Sequence, residues 1–280
     1  MGNSIASVII GFAFLLLVFR PMEKLFPAKK DQAFFRQGFV LDLCYFLGQY
    51  LIFGALVFLV LRYFGTWLGA LVPHTFQQAV ASQPFWLQAL EMLFLSDLLI
   101  YWGHRLQHTV PFLWRFHKVH HSSTHLDWLA AHREHPFDSV YTIGLINLPS
   151  FLLGFPLEGI AGIIAFRGIW AIYIHSNVRL NLGPLRWFIG SPELHHWHHH
   201  THKNAGNYAN ISPLMDLLFG TYKCPDREPE ELGIKEDFSR NYLGQMLEPL
   251  LPAKKGAQLR LWLQNRLHWW KEHQRKKEHI

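Results

Sequence analysis

Histidine dominates the chemistry available to this sequence. The chain has 19 histidines in 280 residues, and 15 of them fall between His104 and His202. Three short clusters stand out: His104-Arg-Leu-Gln-His108, His117-Lys-Val-His120-His121 and His195-His196-Trp197-His198-His199. Residues three and four apart lie on one face of a helix, so two or three imidazoles from one helix can converge on a point. Together the clusters offer eight: His104, His108, His117, His120, His121, His195, His198 and His199. A mononuclear zinc site takes three or four protein ligands. Twice that number predicts two metal ions. Imidazole suits iron, zinc, copper and nickel. The HExxH pattern of a zinc hydrolase is absent. The two cysteines, Cys44 and Cys224, lie far apart and supply no thiolate set. A pair of irons held by neutral rings beside a membrane is suited to oxygen activation, with its charge offset by bound oxygen species and nearby carboxylates.

Two other classes of function share these residues. One is a zinc-dependent membrane hydrolase; the other is a non-catalytic metal-binding membrane protein. Metal identity separates the first, and oxygen uptake with lipid separates the second. A histidine run such as 195–202 can also be a metal-scavenging tract, but three clusters on one membrane face argue for ordered ligation. In the third cluster, His196, His199 and His200 spell the same spacing one residue out of register.

The elements that position these residues follow from hydropathy. Half the chain is apolar, 15% is aromatic and only 16% is Asp, Glu, Lys or Arg, against about 25% charge in an average soluble domain. Mean hydropathy is +0.07, too low for a chain wholly in lipid. The pattern fits a membrane-embedded part joined to a polar one, and excludes a disordered chain or a disulfide scaffold. Residues 5–19 are uncharged, with no preceding Lys or Arg and no cleavage-site pattern, and read as a first span rather than a signal peptide. Residues 38–61 form a second. Residues 85–103 form a third, interrupted by Glu91 and Asp97. Residues 137–155 and 157–174 read as an apolar hairpin around Phe155-Pro156, not necessarily crossing fully. The loop after the first span carries Arg20, Lys24, Lys29, Lys30 and Arg36, whereas residues 63–84 carry no Lys or Arg. The positive-inside rule puts the first loop in the cytoplasm. Counting spans then puts all 15 clustered histidines on that same face. Residues 256–277 read as a basic amphipathic helix at the lipid interface, with Leu259, Trp262, Leu263, Leu267 and Trp270 on one side.

The expected fold is an all-α integral membrane protein of four to five transmembrane helices with a cytoplasmic helical histidine-box domain. The expected organisation is residues 1–84 as N-terminal transmembrane helices, 85–225 as the catalytic region with the third span and hairpin, and 226–280 as a cytoplasmic tail. The C-terminus KKEHI lacks the lysine placement of an ER-retrieval signal, which favours a bacterial cytoplasmic membrane over the ER.

The chain also resembles a known group. SDLLIYWGHRLQH, LWRFHKVHHSS, AHREHPFD, IHSN, SPELHHWHHH and NYANISPLMDLLFGTY, in that order over about residues 90–225, resemble the fatty acid hydroxylase and sterol desaturase superfamily of integral membrane di-iron enzymes. The resemblance implies that the eight histidines named above bind iron. It implies that His135 and His175 match further family histidines and complete the coordination. It places an aromatic before the final pair, which favours the His195, His198, His199 register because Trp197 precedes His198. Asp97, on the helical face of His104, is expected to hydrogen-bond a ligand imidazole and fix its tautomer. Asn207, Tyr208 and Asp216 are expected to support the ligands from outside. The implied reaction is oxygen-dependent oxidation of an unactivated C–H bond in a lipid drawn from the bilayer, with hydroxylation favoured over desaturation. The implied cofactors are two iron ions, with O2 as co-substrate. Electrons are expected from a separate donor such as cytochrome b5 or ferredoxin with its reductase. The positive net charge would attract an acidic donor. No nucleic-acid partner is expected.

Overall fold

The computed structural model describes residues 5–155 and 157–278, with side chains for 5–155 and 161–266. The described residues form helices and loops without a strand. Helix α1 spans Ile5–Leu25. Helix α2 (Phe39–Gly48) continues through a π-helical turn at Gln49–Phe53 into α3 (Gly54–Gly69). After α4 (His74–Ala81) come α5 (Phe85–Thr109), α6 (Pro111–His121), α7 (Pro136–Leu153) and α8 (Leu157–His175). The short α9 (Pro192–His198) and α10 (Leu214–Leu218) follow. The chain divides into compact units after Lys235. The second contains α11 (Tyr242–Leu247) and α12 (Ala253–Glu278).

Among the described residues, three stretches are long and apolar enough to cross a membrane: Ile5–Leu25, Phe39–Gly69 and Phe85–Thr109. At most a third of each apolar window is buried inside the protein. Ile9, Leu17, Leu56 and Leu59 therefore point outward, the arrangement expected where the solvent is hydrocarbon. Ala161–His175 is a shorter apolar stretch. The expected break between α7 and α8 is made by Gly154, whose φ of 75° ends α7; Pro156 lies outside the described residues. In the second unit Leu263 is buried and Trp262 is exposed, so the expected apolar face is divided at these two residues. The side chains of Leu267 and Trp270 lie outside the described residues.

Local chemistry starts the helices that carry histidines. Pro111, Pro136 and Pro192 each sit in a first turn, where the missing N–H costs nothing. Ser191 caps α9 by accepting from Leu194 N, and His135 Nδ1 caps α7 by accepting from Phe137 N. At Gly103 a Cβ would lie 2.1 Å from Leu145 Cδ1, so glycine lets α5 and α7 approach closely beside His104.

The basic loop after α1 packs on the segments that frame the histidines. Arg36 pairs with Asp42 at 2.8 Å and with Asp127, and Arg133 Nε donates to Asp42 at 2.5 Å. Glu23 Oε1 accepts from the backbone N–H of Trp128 and Asn177. Lys29 N donates to Asn177 Oδ1. The positive loop and the histidine clusters therefore occupy the same end of the helices, as charge and hydropathy predicted.

Candidate metal centre

Nine histidines converge in two groups. His104, His108, His117, His121 and His198 form one; His120, His175, His195 and His199 form the other, with ligating nitrogens within 4.8 Å of one another in each. Helix α5 supplies His104 and His108, α6 the next three, α8 ends in His175, and α9 presents His195 and His198 with His199 just beyond. Spacing on α6 divides its histidines: His117 and His121, four apart, share one group, and His120 turns to the other.

The outer nitrogens fix the tautomers. His104 Nδ1 donates to the Tyr208 carbonyl at 2.9 Å, His120 Nδ1 to the Arg133 carbonyl at 3.2 Å, His175 Nδ1 to the Ala171 carbonyl at 2.6 Å and His198 Nδ1 to the Gly206 carbonyl at 2.7 Å. His108 Nδ1 donates to the Lys203 carbonyl. A carbonyl can only accept, so these five rings carry their proton on Nδ1 and turn an unprotonated Nε2 inward. His117 Nδ1 faces the Asp138 carboxylate at 2.9 Å.

Those inward nitrogens crowd together. His120 and His175 Nε2 are 2.9 Å apart, and His104 and His117 Nε2 are 3.1 Å apart. His121 and His198 are 3.1 Å apart, His175 and His195 2.9 Å, and His195 and His199 3.0 Å. For His120 and His175 both facing atoms are lone pairs, which repel unless a cation lies between them. Two nitrogens about 2.1 Å from one ion and about 3 Å apart subtend roughly 90° there, the angle between neighbouring ligands of an octahedral ion. His108 Nε2, left free by the Nδ1 bond to Lys203, is buried without a hydrogen-bond partner, so a further lone pair is available inside the five-histidine group. The donor set fits two metal ions.

Protonation would not relieve the crowding. Burial, then repulsion from neighbouring imidazoles, holds His117, His120, His121, His195 and His199 well below the ordinary histidine range. His198 is held there too, because burial outweighs its bond to Gly206. Neutral imidazole is the form that ligates metal.

The other predicted residues separate by role. His135 stands outside both groups: it caps α7, and its ring packs against Phe116 at 5.0 Å. Asp97 meets no imidazole in its described hydrogen bonds. It accepts from Ile211 N at 3.0 Å and Ser212 N at 3.2 Å, and pairs with Arg167 at 3.5 Å. The one-face argument placed Asp97 correctly along α5, but the returning 210–212 loop takes its oxygens. Asp216 accepts from Tyr208 N and Ala209 N. It thereby holds the peptide whose carbonyl orients His104. Asn207, at φ 55°, bonds Leu194 and Lys223 backbone atoms and ties the loop to α9. The Tyr208 ring packs edge-on to His104 and His198 and tilted against His108.

The His195 register enters the clusters. His196 turns away to Glu228 at 2.7 Å and the Ser176 carbonyl at 3.0 Å, and His200 stacks beside Trp197. His132 is buried edge-on to Phe46. The spacing argument gave no role to Asp138 or to the carbonyls of Lys203, Gly206 and Arg133. Asp138 had a signal: in HPFD it falls in the first turn of a helix begun by Pro136. Backbone carbonyls leave none.

A cavity of about 590 Å³ opens beside both groups. His104 and His117 of one group and His120, His175 and His195 of the other line it. Away from them its walls are mostly apolar, built from α1, α2, α7 and α8, with Gln49, Glu134, Asn147, Arg167 and Asn210 among the polar residues. Phe14 and Ile169 line it while staying exposed on the faces of α1 and α8.

Residues 89–221 match the fatty acid hydroxylase family. Among curated proteins, the chain is 32% identical over 211 residues to ornithine lipid hydroxylase of Rhizobium tropici, covering 69% of this chain and 63% of that protein. It is 31% identical over 134 residues to alkylglycerol monooxygenase of Homo sapiens, covering 47% and 30%. It is 30% identical over 155 residues to a Delta(7)-sterol 5(6)-desaturase of Eremothecium gossypii, covering 54% and 42%. The chain spans less than two thirds of the length of each. No solved structure matches.

Proposed function

We propose, from the match of residues 89–221 to the fatty acid hydroxylase family, that the protein is a membrane oxygenase that hydroxylates an unactivated C–H bond of a lipid with O2 and external electrons. The observation that carries this reading is the pair of facing, unprotonated Nε2 atoms on His120 and His175, repeated across two buried groups that share one apolar cavity. The proposed metal ligands are the nine clustered histidines. His135 belongs to the helix cap and not to this set.

Two irons, when bound, would supply the reduction of O2 and the oxidation of the C–H bond. The protein's part is orientation and exclusion. Carbonyls of Tyr208, Lys203, Gly206, Arg133 and Ala171 hold the ligand rings in one tautomer. Asp138 holds His117 and places negative charge beside a cationic centre. The apolar walls admit a lipid chain from the bilayer and keep water from the reacting carbon. Glu134 lines the same cavity. Burial, then the nearby Asp138, raises its carboxyl above the usual carboxylate range, so the Glu134–Asp138 pair can hold a proton beside the cavity. Electrons come from a separate carrier such as cytochrome b5 or ferredoxin with its reductase. The centre faces the cytoplasm, in a bacterial cytoplasmic membrane.

The test is metal content of the detergent-purified full chain after anaerobic iron loading, with and without His120→Ala plus His198→Ala, followed by oxygen uptake with bilayer lipid. About two irons per chain, lost in the double variant, with lipid-dependent oxygen uptake, is the expected result. One tightly held zinc, or metal content indifferent to the substitutions, would overturn the reading.

A further inference from the structure

The walls of the cavity beside the metal groups are not alike. Among the described residues, those that both line it and are exposed are Ser7 and Phe14 on α1 and Ala165, Gly168 and Ile169 on α8. The lining residues of α2, α5 and α7, such as Phe46, Ile100 and Asn147, are buried or half-buried. The chamber is covered by those walls and opens between α1 and α8.

The two helices run the same way and are joined at the histidine end. Glu23, near the end of α1, accepts from Asn177 N, just after α8. Leu15, Phe19 and Ile172 are buried in one cluster. One turn further from the histidines, about 6 Å along each axis, stand Gly11 on α1 and Gly168 on α8. Both line the cavity, and a Cβ on either would meet no atom within 4 Å. The side chains that close the seam at Leu15 and Ile172 are therefore missing at the next turn of both helices. Neither glycine takes a positive φ, and neither lets a neighbour approach closely, so what each leaves is space.

The chemistry of the mouth says what passes. Helix α1 is long and apolar enough to cross a membrane. Ile10, Phe14 and Leu17 on α1, and Phe166 and Ile169 on α8, are exposed around the opening. Residues 5–19 carry no charge; in 161–174 the one charged residue, Arg167, is buried and pairs with Asp97. A polar or charged molecule would lose its hydration at such a mouth without a partner, at a cost of several kcal/mol. An alkyl chain loses nothing there.

Resting on the lipid-oxygenase reading above, we propose that the seam between α1 and α8 is the entrance through which an alkyl chain of a bilayer lipid reaches the metal groups, held open by Gly11 and Gly168. The opening runs lengthwise, over about 12 Å of α1 from Leu15 to Ser7. A chain enters broadside, and its polar head need not cross the hydrocarbon. Gly11 and Gly168 set the width of the entrance and so the bulk of the chain admitted.

Photolabelling tests this without turnover. The full-length protein is placed in phosphatidylcholine nanodiscs that contain phosphatidylcholine with a diazirine on one acyl chain, irradiated, and mapped by mass spectrometry. Phe46 and Ile100 line the cavity but are buried, so label there reports chains inside. Leu56 and Leu59 are exposed on α3, so label there reports the surrounding lipid. The wild type should carry both labels. Gly168→Trp and Gly11→Trp each place a large ring in the seam, and should lose the inside label while keeping the outside one. Gly162→Trp is the control: it lies on α8 with the same open space but does not line the cavity, and it should keep both. If the tryptophan variants do not fold, Gly168→Leu is gentler and should lower the inside label relative to the outside one. No inside label in the wild type, an inside label unchanged in folded Gly11 and Gly168 variants, or an equal loss in Gly162→Trp overturns the proposal. Iron content and oxygen uptake of the same wild-type preparation report separately on the oxygenase reading, so failure of one is told apart from failure of the other.

Discussion

Replacing Asp138 by alanine should loosen the metal in the five-histidine group by about ten- to a hundredfold. The carboxylate is buried; Oδ2 faces His117 Nδ1 at 2.9 Å and Oδ1 accepts from Gln107 Nε2 at 2.5 Å. Truncation strands both donors, and releases the constraint that keeps the His117 proton on Nδ1. A ring freed to carry its proton on Nε2 cannot ligate. The affinity loss corresponds to about 1.4–2.8 kcal/mol, and the stranded donors would cost stability of about 1–3 kcal/mol each. Asp138→Asn should fall between: its amide oxygen still accepts from His117, but the charge is gone and Gln107 must flip to accept from the new NH2. The assay is chelator competition on the iron-loaded full chain in detergent, with metal counted by mass spectrometry. At a chelator concentration that spares the wild type, the alanine variant should keep about one iron, held by the four-histidine group. The reasoning fails if a folded Asp138→Ala protein retains both metals with wild-type affinity.

Three further outcomes follow from the same geometry. His195→Ala should lose metal from the four-histidine group, whereas His196→Ala should retain both metals, because His196 faces Glu228 and Ser176 instead; the opposite pattern in metal content would reverse the register. Gly206→Ala should lower the unfolding midpoint and weaken metal retention. Its φ is 88° and a Cβ would lie 2.3 Å from the Thr221 carbonyl oxygen, so the peptide that orients His198 must shift; an unchanged midpoint would count against this. In metal-free protein, burial holds His117, His120, His121, His195, His198 and His199 well below 6.5. Unfolding returns them to about 6.5, so below that pH the unfolded chain binds more protons. Stability should therefore fall as pH drops from 7 to 5.5, by up to about 1.4 kcal/mol per pH unit for each ring; a flat Tm over that range would contradict it.

Much of this was legible in the sequence because it rests on local periodicity. Helical spacing is enough to say that His104 and His108, or His195, His198 and His199, share a face. Hydropathy locates the apolar helices, and lysine and arginine in the loop after α1 put that loop at the histidine end. What spacing cannot give is which face meets which. The split of α6 between two groups, with His120 opposed to His175 rather than to its neighbour His121, depends on how α6, α8 and α9 cross. His135 and His175 both sit in suggestive motifs, yet one caps a helix and the other enters a cluster. Asp97 points along the correct face of α5, but its oxygens go to the loop at 210–212, a partner more than a hundred residues away. The carbonyls that set the tautomers belong to Tyr208, Lys203, Gly206 and Arg133, residues whose side chains say nothing of that role. The sequence by itself determined that the candidate centre is built of imidazoles and at which end of the apolar helices they sit, because both follow from residue type and short-range spacing. Only the tertiary structure decided the pairing of the histidines and their tautomers, because both depend on contacts between segments far apart in the chain.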